Sequence, residues 1–300
     1  MKKGVTSYLI HCKEQKRLNA KTVKAYRIDI TQFEDYVLSN DCKYDREAIR
    51  GFIAFLNQKY KPRTVKRKIA SVKGYLSFLQ GEGMVTDNPF IGMRISLPKS
   101  LSIPRTIPLR TINAMLVETH CFERSAVTPF SHLCALRNTA VIELLFATGM
   151  RISELCGIAE KDLDLSEGVV FIRGKGNRER IVEIANSEVL SALKKYDQAK
   201  SKHIESFFLN NRGKPLTDQS ARFIVENCAK KVDPTHHITP HMFRHSFATM
   251  LLEEDVDIRY IQQILGHSSI STTQIYAHVS SEKRRAILST KHPRNKMTIE

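Results

Sequence analysis

A proline-rich stretch without helical periodicity divides the chain into two unequal parts. It covers residues 96–108, and its prolines are Pro98, Pro104 and Pro108. Proline fixes its own backbone and has no amide hydrogen to donate, so such a segment favours an extended conformation over a helix. We therefore predict a linker over residues 96–108 between a first domain of residues 1–95 and a second domain of residues 109–300.

The first domain has the apolar spacing of helices. Apolar residues recur every three or four positions from Leu18 to Leu38 and again from Arg46 to Leu56, which predicts two amphipathic helices. A third helix is expected to begin at Thr64, whose hydroxyl group can cap the first turn. The first domain is therefore predicted to be all-helical.

This domain also holds most of the positive charge. The chain carries a formal net charge of +16, and residues 1–100 contain 20 Lys and Arg against nine Asp and Glu. Basic residues of the third helix fall largely outside its apolar face: Arg63, Lys66, Arg67, Lys68 and Lys73. Such a stripe can neutralise phosphates. A solvated helix face could carry the same pattern, but the local excess of charge favours a nucleic-acid surface.

The second domain combines helical stretches with one β-rich segment. Helical spacing occurs on both sides of a long loop that we expect from His120 to Leu136. Two β-rich runs, 168–172 and 180–184, flank the sequence Gly-Lys-Gly-Asn at 174–177, which predicts a hairpin. No strand–helix–strand repeat is visible, so a doubly wound sheet is not expected. The predicted fold class is mainly α with a small antiparallel β-sheet.

Composition narrows the class of partner. A strong positive charge indicates a polyanion, either nucleic acid or an anionic membrane surface. No run approaches the roughly 20 apolar residues that span a bilayer, and charged residues follow the start too soon for a signal peptide. The six cysteines lie scattered without CxxC spacing, as is typical of reduced cytoplasmic thiols. We therefore expect a cytoplasmic protein without membrane association.

Two helix starts in the second domain carry polar side chains. Arg151 follows Gly149 at the start of a predicted helix, where the helix dipole disfavours a cation unless an anion binds there as well. His241 and Arg244 share one face of a helix that Thr239 is expected to cap. An imidazole beside a guanidinium can bind a phosphate and exchange a proton. Arg151 by itself could equally be an ordinary surface residue.

Three histidines raise the alternative of a metal site. His237, His241 and His245 recur every four residues. Pro240 lies between the first two, however, and no cysteine ligand or HExxH motif accompanies them. The sequence therefore disfavours a metal site at this position.

Three further residues carry weak signals by themselves. Lys175 lies between two glycines at the predicted hairpin tip, outside any GxxxxGK[ST] phosphate loop. His267 follows Gly266, which is expected to end a helix over residues 257–265. Tyr276 lies in a short helix expected after it. Each of these residues could equally have a structural role.

Taken in order, these segments resemble the tyrosine recombinase (phage integrase) family, and most closely its simple, Xer-like members. The motifs are Thr-Gly-Met-Arg-Ile-Ser-Glu at 148–154, Gly-Lys-Gly-Asn at 174–177, Thr-Pro-His-Met-Phe-Arg-His-Ser-Phe-Ala-Thr at 239–249, and Leu-Gly-His-Ser-Ser at 265–269 followed by Tyr276. They are specific in combination and lie in the family's order. The closing Lys-His-Pro-Arg at 291–294 is similar to the Xer branch.

The resemblance implies a two-domain, C-shaped clamp around duplex DNA. A helical core-binding (SAM-like) domain would precede an α+β catalytic domain. The implied reaction is site-specific strand exchange between two DNA sites through a 3′-phosphotyrosine and a free 5′-hydroxyl group. The implied catalytic residues are Arg151, Lys175, His241, Arg244, His267 and Tyr276, with Glu154 in support.

The resemblance also implies a role for each residue. Tyr276 would attack phosphorus while the two arginines and His267 hold the non-bridging oxygens. Lys175 would protonate the leaving 5′-oxygen, and His241 would help to take the tyrosine proton. Neither a metal nor ATP is required, because arginines supply the positive charge and the phosphoester bond is exchanged rather than hydrolysed. No cofactor is therefore expected.

The assembly and the biological role follow from the same resemblance. Residues 279–300 would dock on a neighbouring protomer, giving a homo-tetramer on two duplexes or a hetero-tetramer with a second recombinase. A frayed basic end is the alternative. Xer-type resolution of chromosome or plasmid dimers competes with integration and excision of a mobile element. The sequence shows no additional arm-site domain, as in the simple recombinases, but the expected loop over 120–136 departs from the compact Xer pattern.

Two rival functions stay open. A type IB topoisomerase would share the tyrosine chemistry but relax supercoiled DNA without pairing two sites. A non-enzymatic DNA-binding regulator would need only the basic first domain.

Overall fold

The structure is a computed structural model that describes residues 2–96, 105–174, 178–201 and 204–266. The chain divides into two compact units, Met1–Ser102 and Ile103–Glu300. The helices of the first unit are α1 (Lys2–Glu14), α2 (Ala20–Ser39), α3 (Arg46–Lys59) and α4 (Pro62–Gly81). The predicted bounds of α2 and α3 agree with these ranges to within three residues. The first helix, α1, is not among the predicted ones.

Aromatic side chains from all four helices build the core of the first unit. Phe33 of α2 and Phe52 of α3 are fully buried and meet edge to face, with ring centroids 5.1 Å apart. Tyr8 brings α1 onto this core, because its ring lies 5.6 Å from that of Tyr75 on α4. Burial of such rings supplies much of the stabilisation of a small helical unit.

The start of α4 differs from the prediction. The helix begins at Pro62 with Lys61 as its N-cap residue, rather than at Thr64. Proline is favourable in a first helical turn because its missing amide hydrogen has no partner there in any case. The two residues added in this way belong to the basic end of the helix.

Lys68 of α4 is buried, so its predicted place on a phosphate-binding stripe is wrong. Its side chain is only 3% exposed, and its Nζ donates to Asp29 Oδ1 (2.9 Å) and to Gln32 Oε1 (2.7 Å). Asp29 is itself fully buried and also accepts hydrogen bonds from Ser71 and Arg67. A buried carboxylate requires cationic partners, which explains why Lys68 turns inward. The exposed basic residues of α4 that remain outside this network are Arg63, Lys66 and Lys73.

The second unit contains seven further α-helices and one sheet in its described part. The helices are α5 (Leu109–Ser125), α6 (Pro129–Thr148), α7 (Ile152–Cys156), α8 (Ser187–Ala199), α9 (Asp218–Val232), α10 (Pro240–Glu253) and α11 (Ile258–Leu265). The strands β1 (Leu163–Asp164), β2 (Val169–Gly174) and β3 (Arg178–Glu183) pair antiparallel in this order. This confirms the predicted class, mainly α with a small antiparallel β-sheet.

Helix α6 runs through the core of the second unit. It begins with a reciprocal cap in which Thr128 and Ser131 each accept the other's amide hydrogen. Most of its residues are buried, and it ends at Gly149, which adopts a left-handed conformation (φ 57°). No helix in the described ranges, α6 included, is both long enough and apolar enough to cross a membrane.

The prediction of a long loop from His120 to Leu136 is wrong. Helix α5 continues to Ser125 and α6 begins at Pro129, so only residues 126–128 connect the two helices. Thr128 and Pro129 have the chemistry of a helix start, and the prediction missed this signal. Residues 120–136 are therefore mostly helical and do not form a long loop.

Candidate active site

Arg151 is positioned by the tight turn at the end of α6. Gly149 provides the left-handed residue of this turn, and a Cβ atom there would lie 2.6 Å from Cδ1 of Phe247. Only glycine therefore lets α10 approach the turn so closely. Arg151 is the N-cap residue of α7, and its side chain is 36% exposed. The guanidinium thus reaches solvent at the start of a helix.

Glu154 anchors Arg151 from the first turn of α7. Its carboxylate accepts the amide hydrogen of Arg151 (2.8 Å) and a hydrogen bond from Arg151 Nη1 (2.6 Å). Arg180 of β3 donates to both oxygens of the same carboxylate, from Nη1 to Oε1 (3.0 Å) and from Nη2 to Oε2 (2.8 Å). Burial by itself raises the pKa of Glu154, but the hydrogen bonds and charges of Arg180 and Arg151 outweigh burial and lower the pKa to about 2. The carboxylate is therefore ionised at neutral pH.

Arg244 lies in the interior of the site. It is 4% exposed, and it donates from Nη1 to the carbonyl oxygen of Gly149 (2.9 Å) and from Nη2 to that of Leu265 (2.7 Å). These carbonyls end α6 and α11, where the helix dipoles favour a cation. Arg244 therefore ties together the turn that leads to Arg151 and the turn that leads to residue 267.

The histidines of α10 lie beside this guanidinium. His241 is exposed in the first turn, and its ring centroid lies 6.1 Å from that of His245. Burial, together with the nearby His241 and Arg244, lowers the pKa of His245, so this ring is neutral at pH 7. Thr239 is the N-cap residue as predicted, but its side chain makes no capping hydrogen bond. In the described ranges, no group of three or more His, Cys, Asp or Glu side chains could hold a metal ion.

The structure thus brings Arg151, Glu154 and Arg244 to one place, with His241 one turn before Arg244. The remaining predicted residues Lys175, His267 and Tyr276 lie outside the described residues, as does the segment 279–300.

Sequence reasoning missed Arg180. Its neighbours at alternate positions, Val182 and Ile184, are buried, whereas Ile181 is exposed. Side chains of a strand alternate between two faces, so Arg180 occupies the inward face. A charged residue that alternates with buried apolar residues along a strand was the signal that could have identified Arg180.

Comparisons with known proteins agree with this geometry. A family model described as the phage integrase family matches residues 126–283, and one described as the phage integrase N-terminal SAM-like domain matches residues 5–83. A tyrosine recombinase of Agathobacter rectalis is 46% identical over 294 residues, covering 97% of this chain and 96% of the relative. Tyrosine recombinase XerC of Thermodesulfovibrio yellowstonii is 35% identical, with 97% of each chain covered.

A solved structure shares the fold. The XerH site-specific recombinase bound to its palindromic difH substrate has a TM-score of 0.74 and 23% identity, covering 93% of this chain and 82% of that one. Together with the family models, it confirms the resemblance that the motifs indicated. The chain belongs to the phage integrase family of tyrosine recombinases.

Proposed function

We propose that this recombinase cuts and rejoins duplex DNA through a 3′-phosphotyrosine and exchanges strands between two copies of a target site. The observation that supports this most directly is the arrangement of Arg151 and Arg244. One guanidinium is buried against helix-end carbonyls, and the other is held by Glu154 on the adjoining turn. Two fixed guanidiniums suit the non-bridging oxygens of a phosphodiester better than mobile ammonium groups would.

In the proposed cleavage step, one bond to phosphorus replaces another. The phenolic oxygen of Tyr276 forms a bond to phosphorus while the bond from phosphorus to the 5′-oxygen breaks. Lys175 gives a proton to that leaving oxygen, and His241 takes the proton of the tyrosine. Arg151 and Arg244 stabilise the charge on the five-coordinate phosphorus, and rejoining reverses each of these steps.

Two more residues complete the proposed site. His267 donates a hydrogen bond to the same phosphate, and it follows directly on the turn that Arg244 holds through Leu265. Glu154 does not meet the phosphate in this proposal. It orients Arg151, which the two hydrogen bonds between them support.

The first domain, residues 1–95, would grip the DNA, with residues 96–108 as the linker and residues 109–300 as the catalytic domain. Exposed cations of α4 would contact phosphates: Arg63, Lys66 and Lys73. Arg67 is 44% exposed but forms an ion pair with buried Asp29. We therefore assign it a smaller share of the binding. Two solved relatives, XerH and lambda integrase, are bound to DNA, which supports double-stranded DNA as the partner.

We further propose a tetramer on two duplexes, formed by docking of residues 279–300 on a neighbouring protomer and acting in the cytoplasm. Similarity to XerC along 97% of both chains favours resolution of chromosome or plasmid dimers. The sequence argument against this role relied on a long loop over residues 120–136, and this segment is instead largely helical. Integration or excision of a mobile element is the alternative.

The experiment begins with a target site. Duplexes that bind the protein are selected from a random-sequence pool, and a nick is placed in them so that cleavage traps the covalent adduct. We expect an adduct with the unaltered protein and none with Tyr276→Phe, although both bind the duplex equally. An adduct with Tyr276→Phe would contradict the mechanism. Vigorous relaxation of a supercoiled plasmid that lacks the selected site would instead favour a topoisomerase.

The role is tested with two direct copies of the selected duplex on one plasmid. Strand exchange between them divides the plasmid into two smaller circles, which an agarose gel separates. In the source organism, loss of the gene should leave plasmid and chromosome dimers unresolved if the role is Xer-type. Normal dimer resolution together with loss of an element's excision would instead indicate the mobile-element role.

A further inference from the structure

We propose that Arg180 is a positioning residue for strand cleavage, a role that rests on the function proposed above. Arg180 lies on β3 opposite Ile172 of β2, and its side chain is 13% exposed. Val182 and Ile184, on the same face, are buried in the core of the unit. A charged group in such a position is costly unless strong interactions compensate, so its placement calls for a specific partner.

That partner is Glu154, which Arg180 binds through both carboxylate oxygens at 3.0 and 2.8 Å. A planar guanidinium that makes two parallel hydrogen bonds fixes the plane of the carboxylate as well as its position. The same carboxylate holds Arg151 through its backbone amide and through Nη1. Because Glu154 is shared, the orientation of Arg151 depends on Arg180.

Arg180 also lies against the turn that ends α11. A Cβ atom on Gly266 would lie 2.9 Å from both Cδ and Nη1 of Arg180, so the glycine is what permits this close approach. Gly266 adopts a left-handed conformation (φ 64°) and directly precedes His267 in the sequence. Arg180 therefore contacts this turn as well as Glu154.

The place of Arg180 in the hairpin adds a third connection. Strand β3 begins at Arg178, directly after the segment that contains Lys175. Arg180 of this hairpin is bound to α7 through Glu154 and lies against Gly266 at the end of α11. In the sequence these elements adjoin the proposed catalytic residues Arg151, Lys175 and His267, whereas Arg180 itself touches no substrate in this proposal.

The test compares Arg180→Lys with the unaltered protein on the selected, nicked duplex. Lysine keeps the positive charge but reaches only one carboxylate oxygen at a time. The variant therefore keeps the ion pair with Glu154 and loses the two parallel hydrogen bonds that orient its carboxylate. Under single-turnover conditions we expect Kd for the duplex to stay within about twofold while the cleavage rate constant falls about 10- to 100-fold, by analogy with residues that orient the ligands of a catalytic metal. Arg212→Ala, which removes an exposed arginine of the same unit, is the matched control and should change neither quantity.

A double variant tests whether Arg180 acts through Glu154. If it does, Arg180→Lys lowers the cleavage rate much less in a Glu154→Gln background than in the unaltered protein. Equal effects in both backgrounds would overturn the proposal, as would an Arg180→Lys variant that cleaves at the unaltered rate. A variant that unfolds, or that loses binding and cleavage in the same proportion, would make Arg180 a merely structural residue and also overturn it. Failure of the unaltered protein to form any adduct would instead refute the proposed function, which separates the two results.

Discussion

Replacing Glu154 by glutamine should remove a contribution to stability that depends on pH. The pKa of this buried carboxyl is about 2, against an ordinary value of 4.5, because hydrogen bonds from Arg180 and Arg151 outweigh the effect of burial. At 1.36 kcal/mol per pH unit, this difference corresponds to about 3 kcal/mol of stability at neutral pH. The Glu154 side chain is 5% exposed, so screening by solvent reduces this figure little.

The direction of the pH dependence follows from the sign of this shift. A lowered pKa stabilises the fold above pH 4.5, where the unfolded chain is already ionised, and the contribution is lost as the pH falls towards 2. The difference in free energy of unfolding between the unaltered protein and Glu154→Gln should therefore shrink by about 2 kcal/mol between pH 6 and pH 3. The chain contains no tryptophan, so urea unfolding is followed by circular dichroism.

The control for this experiment is Glu183→Gln. Glu183 is an exposed carboxylate on the same strand as Arg180, so this variant removes one negative charge without disturbing the buried cluster. A difference for Glu154→Gln that stays constant between pH 6 and pH 3, or that grows as the pH falls, would refute the reasoning. The same would hold if the two variants behaved alike.

Three more predictions concern other parts of the molecule. Asp29→Ala leaves Lys68 buried without its counter-ion, so the free energy of unfolding of the first unit, measured in urea, should fall by about 3–5 kcal/mol. A fall of less than about 1 kcal/mol would contradict the buried network. Lys66→Ala should flatten the slope of log Kd against log salt by about 0.9, measured by anisotropy with the selected duplex, and an unchanged slope would contradict its contact with a phosphate. Gly149→Ala forces a Cβ to within 2.6 Å of Phe247 at a φ of 57° and should lower Tm by several degrees, so an unchanged Tm would contradict the tight turn.

Local patterns in the sequence were sufficient to predict many of the elements. Helix α2 was expected from Leu18 to Leu38 and runs from Ala20 to Ser39, because the spacing of its apolar residues is itself the cause of its packing. The hairpin of β2 and β3 was predicted from a glycine-rich turn between β-branched runs in the same way. Arg151 and Arg244 were found because each lies beside a helix end with a recognisable signature.

The roles of buried charges could not be predicted in this way. Lys68 has the spacing of a solvated stripe, but its partners Asp29 and Gln32, 39 and 36 residues earlier, hold it in the interior. Arg180 likewise depends on Glu154, 26 residues away. Pairing over such distances is decided by how helices and strands pack, and single-sequence periodicity carries no information about that packing.

The charges around Glu154 explain why this cluster suits an anion. Hydrogen bonds from Arg244 to the carbonyl oxygens of Gly149 and Leu265 fix this guanidinium in place at the ends of two helices. Arg151 and Arg180 share one carboxylate, so Glu154 orients two guanidiniums while cancelling the charge of one. A site that must stabilise a five-coordinate phosphorus needs this surplus of positive charge as much as it needs rigidity.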